Sequence, residues 1–323
     1  MMIRSTFLGW VLLLCAATLH AQPDPRSYRF SHLGVDDGLA HRLVTAFAQD
    51  STGYLWIGTK AGLNRFDGVT MRTYRHVRGD STSLPGHNIT ALFVDARGTL
   101  WVGTNAGLSR FDRRTETFRT YRPAPDDPTG LCGPSVHRLA RDGKGGLWIG
   151  TQENGLCHFN ATTERFTHVP LLTAAPDRSR IVTDLTRTPS GDVWVSVAVL
   201  RGPSTVCRLD PATRACVPSS RTQQGGWPAV WSDADGTLWA LQHERGLLRH
   251  DPATASFSMH TPAPVVWGSS AVAVLPDGTL WAGTPRKGIV HFDPSRRMAE
   301  AAARVRPDPG DPASLEEIGR AHV

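Results

Sequence analysis

The chain has 323 residues, of which 40% are hydrophobic and 20% charged, with 31 Gly and 23 Pro. That supply of apolar residues supports a packed core and excludes wholesale disorder, while the Gly and Pro favour many turns between short strands over long helices. The net charge is +6, but the basic residues are mostly single Arg with no Lys/Arg run of five, so a soluble basic surface is expected and no nucleic-acid footprint.

The first element is "MMIRSTFLGWVLLLCAATLHAQ", with Arg4 ahead of an apolar run from Phe7 to about Ala17 and the small residue Ala21 after it. This pattern predicts a signal peptide over residues 1–21, cleaved after Ala21, and therefore export. The run is shorter than the roughly 20 residues needed to span a bilayer. Cys15 lacks the small residues that precede a lipoprotein cleavage site. Four cysteines follow, Cys132, Cys157, Cys207 and Cys216, in no C-x-x-C or Cys/His zinc spacing.

The rest of the chain repeats itself. Trp56, Trp101, Trp148, Trp194, Trp239 and Trp281 mark six units 42–47 residues apart. A Gly stands three residues before each Trp, and an Asp six before it in four units (Asp50, Asp95, Asp142, Asp233); Thr188 and Leu275 replace that Asp in the fourth and sixth. Asp accepts backbone N–H groups within a turn and Gly supplies a positive φ, so Asp-x-x-Gly predicts a tight hairpin between two strands. "GLNRF" and its counterparts give a third strand. Segments such as "FDRRTETF" turn into a fourth. Four short strands per unit predict an all-β fold, a β-propeller of four-stranded blades. Six blade repeats are visible. Residues 28–33 read as a lone outer strand, and "RPDPGDPASL" reads as the lead into a further unit, so a seven-bladed ring is expected in the complete protein. The propeller is assigned to residues 22–316. The tail "EEIGRAHV" breaks the pattern and resembles translated adapter sequence, so residues 317–323 are expected to be non-native and the chain an open reading frame cut short before blade seven is completed.

The frame "QDSTGYLWIGTKAGLNRFD", preceded by "FSHLGVDDGL", is similar to the two-component regulator propeller family of bacteria, over about residues 28 to 315. The fourth unit, "VWVSVAVLRGPSTVCRLD", and the fifth, "LWALQHERGLLRHD", depart from it. The resemblance implies the periplasmic sensor half of a membrane-anchored receptor. In such receptors two rings, an immunoglobulin-like domain and one membrane helix lead to a cytoplasmic histidine kinase or diguanylate cyclase. Partners implied are a small-molecule or carbohydrate ligand, the downstream propeller and output domains, and a second copy of the chain in a homodimer.

The six Trp residues sit at one fixed strand position, which points to packing between neighbouring blades more than to sugar stacking. The repeated Asp has no second carboxylate at fixed spacing, so a turn is expected and no metal. No cofactor loop and no H-E-x-x-H or G-x-S-x-G motif occurs, and no catalytic residue is assigned. A propeller enzyme of the lyase or glycan-processing kind and a secreted interaction scaffold are the alternatives. On a rigid scaffold the variable loops carry recognition. Those between the second and third strands hold the binding candidates Lys60, Asn105, Gln152, Glu153, His243, Glu244, Arg286 and Lys287. Cys207 and Cys216 flank one hairpin and are either a local disulfide or a pair of small buried thiols.

Overall fold

The computed structural model describes residues 31–124, 127–169, 171, 180–199, 204–210, 213–221, 229–233, 235–242, 246–262, 271–274, 279–284, 288–292 and 302–305. The signal peptide, the tail 317–323, and the candidates His243, Glu244, Arg286 and Lys287 lie outside them. Among the described residues there is no helix. The chain is all-β: six four-stranded antiparallel sheets, each built from four consecutive strands in sequence order, as in the blades of a propeller.

Blade 1 comprises β1 (Val44–Gln49), β2 (Leu55–Thr59), β3 (Gly62–Phe66) and β4 (Met71–Tyr74); blade 2 comprises β5 (Ile89–Val94), β6 (Leu100–Thr104), β7 (Gly107–Asp112) and β8 (Thr117–Tyr121). Blade 3 comprises β9 (Val136–Arg141), β10 (Leu147–Thr151), β11 (Leu156–Asn160) and β12 (Arg165–Val169); blade 4 comprises β13 (Arg180–Arg187), β14 (Val193–Val199), β15 (Ser204–Leu209) and β16 (Cys216–Arg221). Blade 5 comprises β17 (Ala229–Ser232), β18 (Leu238–Gln242), β19 (Gly246–Asp251) and β20 (Ser256–Pro262); blade 6 comprises β21 (Ala271–Val274), β22 (Leu280–Thr284), β23 (Gly288–Phe292) and β24 (Ala302–Val305).

The first strands β1, β5, β9, β13 and β17 pack one against the next, so consecutive blades meet along them. In blades 1 to 3 this strand carries a bulge just after its first paired residue, at Thr45, Thr90 and His137, and in blade 4 the bulge falls further along, at Thr183. A bulge bends a strand and re-aims the side chain of its extra residue. Here Thr45 Oγ1 donates to the Ile89 carbonyl of the next blade at 2.6 Å, and Thr90 donates likewise to Val136. One residue after the bulge, Arg138 Nε meets Asp184 at 3.3 Å, and Asp184 accepts the Val230 N–H at 2.9 Å, which ties blades 3, 4 and 5.

The core sits at the seams between blades. Trp56, Leu63 and Tyr74 of blade 1 bury themselves against Ile89, Leu100, Phe111 and Phe118 of blade 2. Trp101 and Leu108 meet Val136, Ile149 and Phe159 of blade 3 in the same way. Trp56 lies edge-on to Phe111 with ring centroids 5.0 Å apart, and Trp101 to Phe159 at 5.2 Å, a favoured geometry for aromatic pairs. The Gly of "WVGT" belongs to this contact. A Cβ on Gly103 would stand 2.7 Å from Val136 Cγ1, so any side chain there would push blades 2 and 3 apart.

The outer strand expected over residues 28–33 is not seen where it can be checked. Residues 28–30 lie outside the described residues, and 31–33 are not in a strand. His32 and Leu33 run straight into a turn closed by Gly34 N–H to Asp37 Oδ2 at 2.7 Å and Leu39 N–H to the Gly34 carbonyl at 3.2 Å.

Candidate functional site

The two ends of each blade have different chemistry. One end carries the turns between first and second strands. In blade 1, Asp50 Oδ1 accepts the N–H groups of Thr52 (2.9 Å) and Tyr54 (3.2 Å), while Oδ2 accepts Trp56 Nε1 at 2.8 Å. Asp95 and Asp233 repeat the contact with Trp101 (3.0 Å) and Trp239 (2.9 Å). The repeated Asp and Trp are thus two halves of one device, in which the carboxylate shapes a turn and pins the seam indole. Burial works against the Asp50 charge, but hydrogen bonds from Thr52 and Trp56 and the nearby Arg113 outweigh it and hold its pKa below the ordinary range. Among the described residues no group of three His, Cys, Asp or Glu could hold a metal ion.

A cavity of about 380 Å³ opens at this end, lined by Ser51 of blade 1 and by Arg97, Arg110, Asp112 and Arg113 of blade 2. Two of its guanidinium groups are engaged: Arg110 pairs with Glu164 at 3.2 Å and Arg113 with Asp50 at 3.0 Å.

The opposite end carries the turns between second and third strands, where the variable residues lie. Each turn is built on the buried Thr that ends the second strand. Thr59 Oγ1 donates to the Gly62 carbonyl at 2.8 Å and accepts the Ala61 N–H at 3.1 Å. Thr104 does the same for Gly107 and Ala106, and Thr151 for Gly155 and Asn154. The next backbone N–H then donates to the segment entering the first strand: Lys60 to Leu43 (3.2 Å), Asn105 to Asn88 (3.2 Å) and Gln152 to Ser135 (2.9 Å). The structure therefore brings Lys60, Asn105, Gln152 and Glu153 to one end of three successive blades, all with exposed side chains. Gln152 is further held by Ser135 Oγ, 3.2 Å from its Oε1. Arg75 and Arg122 join this end, their Cγ atoms lying 3.2 and 3.5 Å from where a Cβ on Gly62 or Gly107 would stand. Both Arg immediately follow a fourth-strand Tyr, a recurrence in the sequence that reasoning from the loops alone passed over.

A second series joins strands within the blades. Asn64, Ser109, Cys157 and Cys207 occupy one position on the third strand, each opposite the residue that follows the second-strand Trp. All four are buried. Asn64 accepts the Ala40 N–H (2.9 Å) and donates to the Gly38 carbonyl (3.1 Å) and Thr73 Oγ1 (2.8 Å). Ser109 meets Thr120 Oγ1 of the fourth strand at 3.1 Å. Cys157 is disulfide-bonded to Cys132 in the entry segment, and Cys207 to Cys216 in the fourth strand. The first of these bridges was not expected from the sequence.

Residues 38–61, 83–106 and 130–153 match the family model "Two component regulator propeller". Each match runs from an entry segment through the first two strands to the turn bearing Lys60, Asn105 or Gln152. Over 74 residues the chain is 36% identical to "Histidine kinase P4" of Formosa agariphila, a stretch covering 23% of this chain and 5% of that protein. Among solved structures it resembles the extracellular domain of a B. thetaiotaomicron protein described as hybrid two component system BT3049. The TM-score is 0.72 with 23% identity, over 90% of this chain and 38% of that one. The same fold is found in virginiamycin B lyase from Staphylococcus aureus, with a TM-score of 0.62 and 11% identity over 82% of this chain and 84% of the lyase. The chain thus spans a small part of the kinase and under two fifths of the hybrid-system domain. Three of the six four-stranded sheets thus contain segments that match the two component regulator propeller model.

Proposed function

We propose that the chain is the ligand-sensing propeller of an exported, membrane-anchored bacterial receptor whose output is a histidine kinase elsewhere in the protein. The observation that carries this reading is the repeat match in three blades, together with the 36% identity over 74 residues to a histidine kinase. The signal-like N-terminus is consistent with export. The turns bearing Lys60, Asn105 and Gln152 are the ligand-facing end: their backbone is fixed by repeated hydrogen bonds while their side chains differ and reach solvent. Rigid frames with variable tips suit recognition. Their mixed polarity, with Arg75 and Arg122 beside them, suits a polar small molecule or carbohydrate. A downstream propeller, the output domains and a second receptor copy are its partners within the assembly.

The test uses the whole receptor in membranes of its own host. Histidine phosphorylation is followed while neutral and acidic oligosaccharides are added, with Lys60→Glu and Asn105→Lys as receptor variants. A response that one class elicits and the variants weaken at least tenfold is expected. Phosphorylation indifferent to every sugar and to both variants would discard the reading.

A further inference from the structure

The Cys132–Cys157 bridge lies next to the third blade's variable turn. Cys132 belongs to the short segment that enters β9, and three residues later Ser135 supplies both the carbonyl that accepts the Gln152 N–H and the hydroxyl that meets Gln152 Oε1. Between them, a Cβ on Gly133 would stand 3.2 Å from Thr151 Oγ1 and 3.3 Å from Asn154 Cβ. The entry segment is therefore pressed against the turn from Thr151 to Asn154 along its length. In blade 1 two hydrogen bonds of Asn64, accepted from the Ala40 N–H and donated to the Gly38 carbonyl, fix the corresponding segment, and a third reaches Thr73 of the fourth strand. In blade 3 Cys157 stands at that position, and a reduced thiol is only a weak donor and acceptor. Without the bridge, nothing at this position replaces the Asn64 contacts.

We propose that oxidation of Cys132 and Cys157 is a maturation step that sets the Gln152–Asn154 turn, carried out by a disulfide-bearing oxidant while blade 3 is closing. A thiolate of one cysteine attacks the oxidant's disulfide and forms a mixed disulfide. The second thiolate displaces the oxidant's remaining sulfur. Two thiols become one disulfide, and the oxidant leaves as a dithiol with the two electrons and two protons. Timing follows from burial: Cys157 is 0% and Cys132 4% exposed, so neither sulfur meets an enzyme or small disulfide once the seam has closed. Cys216, by contrast, is only half-buried, which leaves the blade 4 bridge open to exchange in the folded protein. The importance of the turn for ligand rests on the reading above; its dependence on the bridge does not.

Hydrogen exchange on the full exported chain separates the two. The oxidised protein is compared with Cys132→Ser/Cys157→Ser and with a packing-matched Cys132→Val/Cys157→Ala variant, reading the amides of Lys60, Asn105 and Gln152. All three amides make the same kind of bond to their entry segments, so Lys60 and Asn105 are internal controls. Gln152 is expected to exchange at least tenfold faster in both variants while the controls stay unchanged. Unchanged Gln152 protection, or a uniform rise at all three amides, overturns the proposal. So does finding both thiols free in the exported protein by non-reducing mass spectrometry. Mild reductant on the native chain is expected to open Cys207–Cys216 first, and the reverse order would contradict the burial argument. Faster Gln152 exchange in variants whose sugar response is unchanged would count against this turn as the ligand-facing end and leave the bridge assignment standing.

Discussion

Blades 1 and 3 share their strand order and strand registers, yet four of their joints use different chemistry. Where blade 1 has Asn64, blade 3 has the Cys132–Cys157 bridge. At the first-strand bulge Thr45 becomes His137. Asp50 receives the indole of Trp56, whereas Asp142 receives His158 Nε2 at 2.9 Å and Trp148 Nε1 is buried without a partner. At the next seam, Arg65 of blade 1 pairs with Glu116 of blade 2. Between blades 3 and 4, Arg214 stands in the turn where blade 2 has Glu116, its guanidinium 5.8 Å from the Trp148 ring centroid. The frame tolerates such exchanges because each joint has a geometric role that several residue pairs can fill. What differs is how each joint responds to redox state, pH and salt, and each difference is measurable.

The largest contrast is at the tether. Removing the bridge with Cys132→Ser is expected to cost about 3 kcal/mol, since it closes a separation of 25 residues in the unfolded chain. Asn64→Ala removes three buried hydrogen bonds and should cost roughly 2–3 kcal/mol. The distinguishing measurement is thermal melting with and without reductant. Wild type and Asn64→Ala should both lose stability on reduction, whereas Cys132→Ser should respond only through its blade 4 bridge. Identical responses in all three proteins would mean that the blade 3 bridge adds nothing to the fold.

His137 makes blade 3 sensitive to acid in a way blade 1 is not. Burial and then the neighbouring Arg138 charge lower its pKa from 6.5 to about 4. The unfolded chain therefore binds the proton more readily than the folded one. The resulting stability is full above pH 6.5 and falls as pH drops towards 4, by at most about 3 kcal/mol. His137→Thr, which installs the residue of blades 1 and 2, should flatten urea midpoints between pH 6.5 and 4.5 relative to wild type. Parallel pH curves would show that another group controls this window.

The indoles give a smaller contrast. Trp56→Phe deprives a buried carboxylate of a donor, a loss of about 1.5–3 kcal/mol beyond the change in packing. Trp148→Phe removes no such bond and should cost at least about 1 kcal/mol less. Equal costs in chemical denaturation would mean that ring packing alone sets the value of these residues.

Most of this frame was legible in the sequence because its elements are local. Asp, Gly and Trp recur within seven residues of one another and specify a turn, a positive φ and a seam ring without knowledge of the rest of the chain. The tether was hidden because its residues, Asn64, Ser109, Cys157 and Cys207, differ in type and fall eight, eight, nine and thirteen positions after their Trp. Insertions in the turn shift the count, and only strand pairing restores the alignment. Cys132 pairs with a residue two strands away, so proximity in sequence favoured Cys207 with Cys216 and gave no sign of the other bridge. The binding candidates were accessible for the opposite reason. Between the Thr and the Gly that four of the six units keep, variation itself marks the exposed tip, although what that tip binds depends on side-chain chemistry that no repeat encodes.

The seam charges should give the smallest effect and the finest test. Glu116, Glu164 and Arg214 occupy equivalent turn positions, with φ of 53°, 53° and 57°. Glu116 contacts Arg65 and Arg72, and Glu164 contacts Arg110 and Arg119. These pairs are partly solvated, so Glu116→Gln should cost no more than about 1 kcal/mol, and less at high salt. At the seam between blades 3 and 4 the charge is reversed, with Arg214 in the turn and His158 on the third strand. His158→Arg alone would set two guanidinium groups against each other and take the donor from Asp142. Adding Arg214→Glu rebuilds the arrangement of the first two seams. A double-mutant cycle on this pair should therefore show favourable coupling of about 0.5–1 kcal/mol that shrinks as salt rises. Zero coupling would mean that the left-handed backbone of the turn, shared by all three residues, sets the seam, and that the charges merely decorate it.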